Sequence, residues 1–154
     1  MKRLAATLLA LTTLGAAASP AALAATQTFI KFSGTAGAIS VTAWNWDFAH
    51  PTAGAALTPN ALQFVAPIGA WEPTLFQALE SGTAFKTATL TRTNSTSPTA
   101  LETITLTDVL VSAISPISAP PAEELQSACV TVDFTGCSIA YLPPSGGATV
   151  SRTC

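Results

Sequence analysis

The sequence is poor in charged residues and contains a single histidine. Lysine, arginine, aspartate and glutamate make up 9% of its 154 residues, and the formal net charge is -2 at pH 7. Nucleic acids and anionic lipids are bound by clustered basic residues, so this composition excludes both as expected partners. A metal site built on paired imidazoles cannot form in one chain whose only histidine is His50. We therefore expect neither a metal nor another cofactor.

The titratable residues also lack the arrangement of a catalytic site. The glutamates are scattered among different predicted elements, without the spacing of a carboxylate pair for acid–base chemistry. Asp47 lies near His50 and could orient its ring, but a surface histidine beside a proline in a loop is the simpler interpretation. The glycine-rich stretch at 145–147 lacks a following lysine and is interpreted as a turn, not a phosphate-binding loop. We predict that the protein is not an enzyme.

The N-terminus has the parts of a secretory signal peptide. Two basic residues precede an apolar run from Leu4 to about Gly15, and a stretch of mostly alanine at 22–25 follows. The run holds roughly 11 to 12 residues, fewer than the roughly 20 that a membrane-spanning helix needs. We predict cleavage after Ala24 or Ala25, delivery to the periplasm or the medium, and no membrane anchor in the mature chain.

Alternating apolar residues predict strands over much of the mature chain. Within 39–48 the apolar set moves from one face, at positions 39, 41 and 43, to the other, where Trp44, Trp46 and Phe48 lie. A regular strand cannot change face without a bulge or two covered faces. Two interpretations stay open: a bulged strand in the core, or three outward-facing aromatic residues that dock on a neighbouring subunit, because aromatics are enriched in interface cores.

One short helix is predicted among the strands. Pro73 suits the first helical position, and Gly82 suits the residue just past the end, where a left-handed backbone is easiest. The helix should therefore run from about Pro73 to Ser81. In the second of the two long strands that follow, Val109 and Val111 are out of phase with the apolar residues on either side, which predicts a strand covered on both faces.

The order of these elements resembles the tube protein of the bacterial type VI secretion system, the haemolysin-coregulated protein family. The resemblance is carried by the helix motif Pro-Xaa-Leu-Phe-Xaa-Ala-Leu-Xaa-Ser-Gly and by flanking strands at Phe29–Gly34, Leu62–Pro67, Lys86–Arg92, Glu102–Ser112 and, more loosely, Val130–Phe134 with Tyr141. It implies a mainly β fold: a small antiparallel β-barrel of two packed sheets with one short flanking helix. It also implies a structural role, with six copies in a ring and rings stacked into a hollow secretion tube.

Together these features divide the chain into three parts. Residues 1–25 are the expected signal peptide, 26–142 the barrel domain that resembles the tube protein, and 143–154 a cysteine-containing tail or hairpin. We predict an exported, non-enzymatic structural protein that self-associates, with the ring as the expected assembly and secreted effectors or envelope proteins as further partners. The alternative is a monomeric secreted or periplasmic β-domain that binds a ligand or a host surface.

The three cysteines lie in the last part of the chain. An oxidising compartment favours their pairing, and three cannot all pair within one molecule. The turn at 143–147 lets the tail fold back along 137–141, so Cys137 would face Cys154, the pair that we favour. Cys129 and Cys137 would be on the order of 25 Å apart along one strand and need a chain reversal to meet. Cys129 is then buried and free, or bonded to another chain.

Overall fold

The computed structural model describes residues 25–49, 58–95, 97–117, 127–143 and 147–154. Most of the predicted signal peptide, at 1–24, lies outside these residues. Within them the chain forms strands and one helix, with the following bounds: β1 Thr26–Phe32, β2 Ile39–Val41, β3 Ala43–Ala49, β4 Thr58–Pro67, α1 Glu72–Ser81, β5 Phe85–Asn94, β6 Ser97–Ile117, β7 Ser127–Asp133, β8 Gly136–Tyr141 and β9 Val150–Thr153.

The strands form two antiparallel sheets that share β6. The first sheet contains β2, β1, β5, the N-terminal half of β6, β8 and β9. The second sheet contains the C-terminal half of β6, β7, β4 and β3. Because β6 is 21 residues long, it can pair with β8 through one half and with β7 through the other. The predicted mainly β fold of two packed sheets with one short helix is confirmed.

A second crossing between the sheets lies at Thr42. Before it, β2 pairs with β1, and after it, β3 pairs with β4. The Thr42 backbone N–H and Oγ1 both donate to the Val65 carbonyl, at 2.8 and 3.1 Å. The chain itself thus joins the two ends of the strand order β2-β1-β5-β6-β7-β4-β3. This change of sheet explains why the apolar residues change face here, and the register against β4 shifts again between Trp46 and Phe48.

At Asp108, β6 bends from one sheet into the other. Asp108 has a φ of 51°, in the left-handed region that aspartate tolerates better than most side chains. It resets the alternation of side chains, so the apolar residues on both sides of it face one core: Ile104, Leu106, Val109 and Val111. The predicted strand covered on both faces is therefore wrong: one face points inward throughout, because the strand bends.

The corner is closed by Thr135, in the break between β7 and β8. Its N–H donates to the Thr107 carbonyl at 3.0 Å, and its Oγ1 donates to Asp108 Oδ2 at 2.9 Å. The segment 127–141 therefore follows β6 along both sheets and breaks opposite the bend.

The predicted helix is confirmed as α1, which begins at Glu72 and ends at Ser81. Gly82 has a φ of 63°, and its N–H donates to the Ala78 carbonyl, as expected for a helix C-terminus. The helix buries Leu75 and Ala78 against the core. Full burial of a leucine side chain contributes roughly 1.5 to 3 kcal/mol, which favours the packing of the helix on the core.

Candidate functional site

The free edge of β3 carries the tryptophans singled out in the sequence. Trp44 lies directly opposite Phe64 on β4, and Trp46 opposite Leu62. Directly opposite residues share a face of the sheet, and Phe64 and Leu62 are fully buried. The two tryptophans therefore lie on the core face at its margin, half-buried and packed against the core.

This geometry agrees with the interpretation of β3 as a core strand. The Trp46 ring packs edge-on against Phe134, with centroids 5.8 Å apart and planes at 81°. Each tryptophan nevertheless keeps an accessible part at the edge of the second sheet. Their docking on a neighbouring subunit stays a prediction, and the Phe48 side chain lies outside the described residues.

The tail forms a second free edge, at the end of the first sheet. A disulfide joins Cys137 and Cys154, the pair favoured from the sequence, with Cα atoms 5.2 Å apart. The Cys154 N–H also donates to the Cys137 carbonyl at 3.0 Å. Cys137 is 5% exposed, and Cys154 is half-buried against the core. Each residue of β9 is exposed, and within the described residues this strand pairs only with β8.

An exposed apolar pair stands on this hairpin, and the sequence analysis did not identify it. Tyr141 on β8 lies directly opposite Val150 on β9, and the two side chains are 38% and 55% exposed. The hairpin register brings them together, so only a prediction of that register from the sequence of the expected turn could have found the pair.

Cys129 remains as the free cysteine among the described residues. Its neighbours Ala128 and Val130 are fully buried in the core. Since side chains alternate along a strand, Cys129 points to the opposite face of the second sheet, between Val65 and Ser115. It is half-buried there. Whether it bonds to another chain stays a prediction.

The described residues provide little for chemistry. No three histidine, cysteine, aspartate or glutamate side chains in these ranges are grouped so that they could hold a metal ion. Arg92 and Glu102 form an ion pair between β5 and β6, with 3.2 Å between Nη2 and Oε2. Where the structure is described, none of its helices has the length and apolar character to cross a membrane. Features of the described fold on which a function can be built include its free strand edges, at β2, β3 and β9.

A known family matches this fold and sequence. The family model described as "Type VI secretion system effector, Hcp" matches residues 30–141. Among solved structures, Hcp1 from Salmonella typhimurium superposes with a TM-score of 0.72 at 23% identity, covering 84% of this chain and 93% of that one. A type VI secretion system effector from Yersinia pestis gives 0.70 at 23% identity, with coverage of 82% and 98%.

A third similar structure is the secreted protein Hcp3 from Pseudomonas aeruginosa, with a TM-score of 0.64, 14% identity and coverage of 83% and 97%. At these identities the solved structures establish the fold. The comparison with curated proteins found no match. The family model covers the strands from β1 to β8 and the helix. The family is one of structural tube proteins, not of enzymes. The chain therefore belongs to the Hcp family of the type VI secretion system.

Proposed function

We propose that the mature chain is an exported structural subunit whose copies associate edge to edge into a closed ring, with six copies as the expected number. The observation that carries the proposal is that the chain, whose residues 30–141 match the family, leaves free strand edges at β3 and, in its tail, at β9 in the described part of the fold. Unpaired strand edges are sites where another chain can pair. A head-to-tail contact between two different edges generates a ring if its rotation closes.

The scarcity of charge supports self-association. With 9% charged residues, the chain has little like-charge repulsion to keep its copies apart. A structural ring needs no catalytic residue, in agreement with the family. Secreted effectors or envelope proteins are the further partners that such a ring would carry or contact.

Export is supported by the predicted signal peptide at 1–25 and by the disulfide, which suits an oxidising compartment. The N–H of Ser95 donates to the carbonyl of Ala25 at 2.8 Å, so Ala25 takes part in the fold. Cleavage after Ala24 keeps this hydrogen bond, whereas cleavage after Ala25 removes the carbonyl. We therefore favour Ala25 as the first residue of a mature periplasmic or secreted protein without a membrane anchor.

Electron microscopy of the mature, oxidised protein tests the assembly. We expect ring-shaped particles with a central hole, and the same particles at several protein concentrations above the dissociation constant. A sample reduced and denatured before imaging serves as the control for staining artefacts. A uniform population of single-chain particles at high concentration would contradict the ring.

The second candidate function is a monomeric β-domain that holds a ligand or a host surface on the β3 edge. The accessible parts of Trp44 and Trp46 favour it, since exposed aromatic surface at an edge is a common binding element. Replacing both by phenylalanine preserves most of their packing and should weaken binding to a true ligand. Unchanged affinity for each candidate partner would argue against this function.

A further inference from the structure

The last strand of the chain covers the edge of β8. On its other side β8 pairs with β6, so within the described residues it is β9 that closes this edge of β8. The pairing runs from Ser138 opposite Thr153 to Tyr141 opposite Val150. A strand edge without a partner presents N–H and C=O groups to which another chain can add. The segment Val150–Cys154, which we call the strap, therefore shields the β8 edge from other chains.

The strap is held by backbone pairing and by one covalent bond. None of the four residues of β9 is buried, so this strand adds no side chain to the core. Cys154 is half-buried against the core, is bonded to Cys137 and donates its N–H to the Cys137 carbonyl at 3.0 Å. A short strand pair without buried apolar side chains is marginal in water. Breaking the disulfide should therefore release the strap, while the buried core of the domain stays intact.

An open cavity lies beside this disulfide. Its volume is about 230 Å³, and both cysteines line it together with Thr107, Ser138 and Thr153. The two cysteines differ in burial, since Cys137 is 5% exposed and Cys154 is half-buried. Thiol–disulfide exchange depends on which sulfur an attacking thiol can reach. A small thiol that enters the cavity should therefore attack Cys154, the more accessible of the two.

We propose that the Cys137–Cys154 disulfide is a redox switch that a small thiol opens through this cavity, and that its opening releases the strap and exposes the β8 edge. The attacking thiolate forms a bond with Cys154 Sγ, and the bond between Cys154 and Cys137 breaks. Cys137 leaves as a thiolate and takes up a proton from water. A second small thiol then displaces Cys154 as a thiol, so the products are two protein thiols and one oxidised small disulfide.

The switch goes beyond the proposed function and does not depend on it. In an oxidising compartment the disulfide persists, the strap stays in place and the β8 edge is closed. Under reducing conditions the same chain presents that edge, whether or not its copies form a ring. The redox state of Cys137 and Cys154 thus decides whether the backbone groups of β8 are paired within the chain or open to another strand.

Proteolysis at Arg152 tests the release of the strap. Arg152 lies on β9 opposite Ile139, and a protease cleaves a paired strand only after it detaches from its neighbour. We expect trypsin to cleave Cys154→Ser after Arg152 at least about tenfold faster than the oxidised wild type, because the strap then opens locally. Cys129→Ser is the matched control, since it removes the free thiol and leaves the disulfide in place. Mass spectrometry without reduction follows the cleavage.

Cleavage after Lys31 and Lys86 provides an internal reference. Both residues are exposed and lie on β1 and β5 of the first sheet, so their cleavage in Cys154→Ser should stay as slow as in the wild type. Equal rates at Arg152 in the two proteins would overturn the strap. A parallel rise at all three sites would overturn it too, because the domain would then unfold as a whole. If the variant fails to fold, hydrogen exchange of the β8 amides in the wild type, with and without a small dithiol, gives the same comparison.

Reaction with reduced glutathione tests the route to the disulfide. The folded Cys129→Ser protein is used, because the chain has three cysteines and this variant leaves only the two bonded ones. We expect the first mixed disulfide with glutathione to form at Cys154, with Cys137 as the free thiol. Peptide mass mapping after an acid quench locates the adduct. An adduct at Cys137, or a reaction that occurs only after the protein is unfolded, would overturn the opening of the switch through the cavity.

Discussion

The two-sheet domain and the tail hairpin at the edge of its first sheet are held in different ways. In the first sheet of the domain, side chains directly opposite one another form buried rows across the strands, such as Ile30, Leu90 and Ile104. In the tail, each residue of β9 is exposed. Burial orders the first region, and a covalent bond orders the second. A strand can thus be held at the edge of a sheet without burying its own side chains.

The position of the disulfide shows how the two regions meet. Phe32, Ala88, Leu106 and Cys137 lie opposite one another on four adjacent strands, and all are buried. Cys154 packs at the end of this row, beyond Cys137. The tail is therefore attached at the point where the buried row of the barrel reaches the edge of the sheet.

The largest expected effect comes from breaking the barrel. Phe32 is fully buried and contacts the rings of Phe85 and Phe64, with centroids 4.9 and 6.3 Å away. We expect Phe32→Ala to lower the free energy of unfolding by about 3 to 5 kcal/mol, from lost burial and the cavity left behind. Urea unfolding measures this change in the free energy of unfolding. Phe29→Ala, on the same strand but half-exposed, is the control. A loss at Phe32 no greater than at Phe29 would contradict this account of the core.

The next effect comes from detaching the tail. The disulfide joins residues 17 apart, so Cys154→Ser should cost up to about 3 kcal/mol in the chain-entropy model. The loss of hydrogen-bond protection should also be confined to the contact between β8 and β9. The Cys154 N–H bonds to the Cys137 carbonyl, and backbone groups alternate between the two neighbouring strands. We therefore expect the amides of Ile139 and Tyr141 to face β9.

Hydrogen exchange followed by NMR measures this release residue by residue. In Cys154→Ser, the Ile139 and Tyr141 amides should exchange faster, whereas those of Ser138 and Ala140, which face β6, should keep their protection. Equal changes at all four amides would mean that the tail and the rest of the domain unfold together. That result would contradict the claim that the disulfide holds the tail separately from the buried core.

A smaller effect is expected at the corner between the two sheets. Asp108→Ala removes the nearer acceptor of the Thr135 hydroxyl, leaving the Thr107 carbonyl at 3.4 Å, and places a less tolerant residue at a φ of 51°. We expect a loss of about 1 to 2 kcal/mol in the free energy of unfolding. Asp108→Gly is the matched variant, since glycine accepts this backbone and should lose less. If alanine and glycine are equal in thermal unfolding, the backbone conformation is not what selects aspartate.

The smallest effect is expected at the ion pair of Arg92 and Glu102. The two side chains are 36% and 19% exposed, so solvent screens much of their attraction. We expect Glu102→Gln to cost about 0.2 to 1 kcal/mol, and added salt to reduce the difference from the wild type. Chemical denaturation at low and high salt measures the cost of the substitution and its dependence on salt. A loss as large as that of Phe32→Ala would show that charge, not burial, orders this part of the barrel.

The features that follow from local chemistry could be predicted from the sequence. Pro73 and Gly82 define the helix because their backbone preferences act within one turn. The turn predicted at 143–147 and the positions of Cys137 and Cys154 indicate the disulfide because a hairpin relates residues close in sequence. The apolar pattern also indicated that the strand near Thr42 could not be regular, whereas the strand around Val109 was wrongly predicted to be covered on both faces.

What the sequence could not provide is the pairing of distant strands. The change of face near Thr42 has its cause in β1 and β4, which come from other parts of the chain. The phase change around Val109 arises from the bend at Asp108, which depends on contact with Thr135. The free edges, and with them the candidate interface, are known only once the strand order is known.

Native mass spectrometry of the mature protein, taken from periplasm or culture fluid without reduction, tests the central claim most directly. It gives the first residue, the disulfide and the number of copies in one measurement. We predict chains that begin at Ala25, contain the Cys137–Cys154 bond and assemble as a closed ring of six. Single processed chains at every concentration, or chains that retain residues 1–24, would contradict an exported ring subunit.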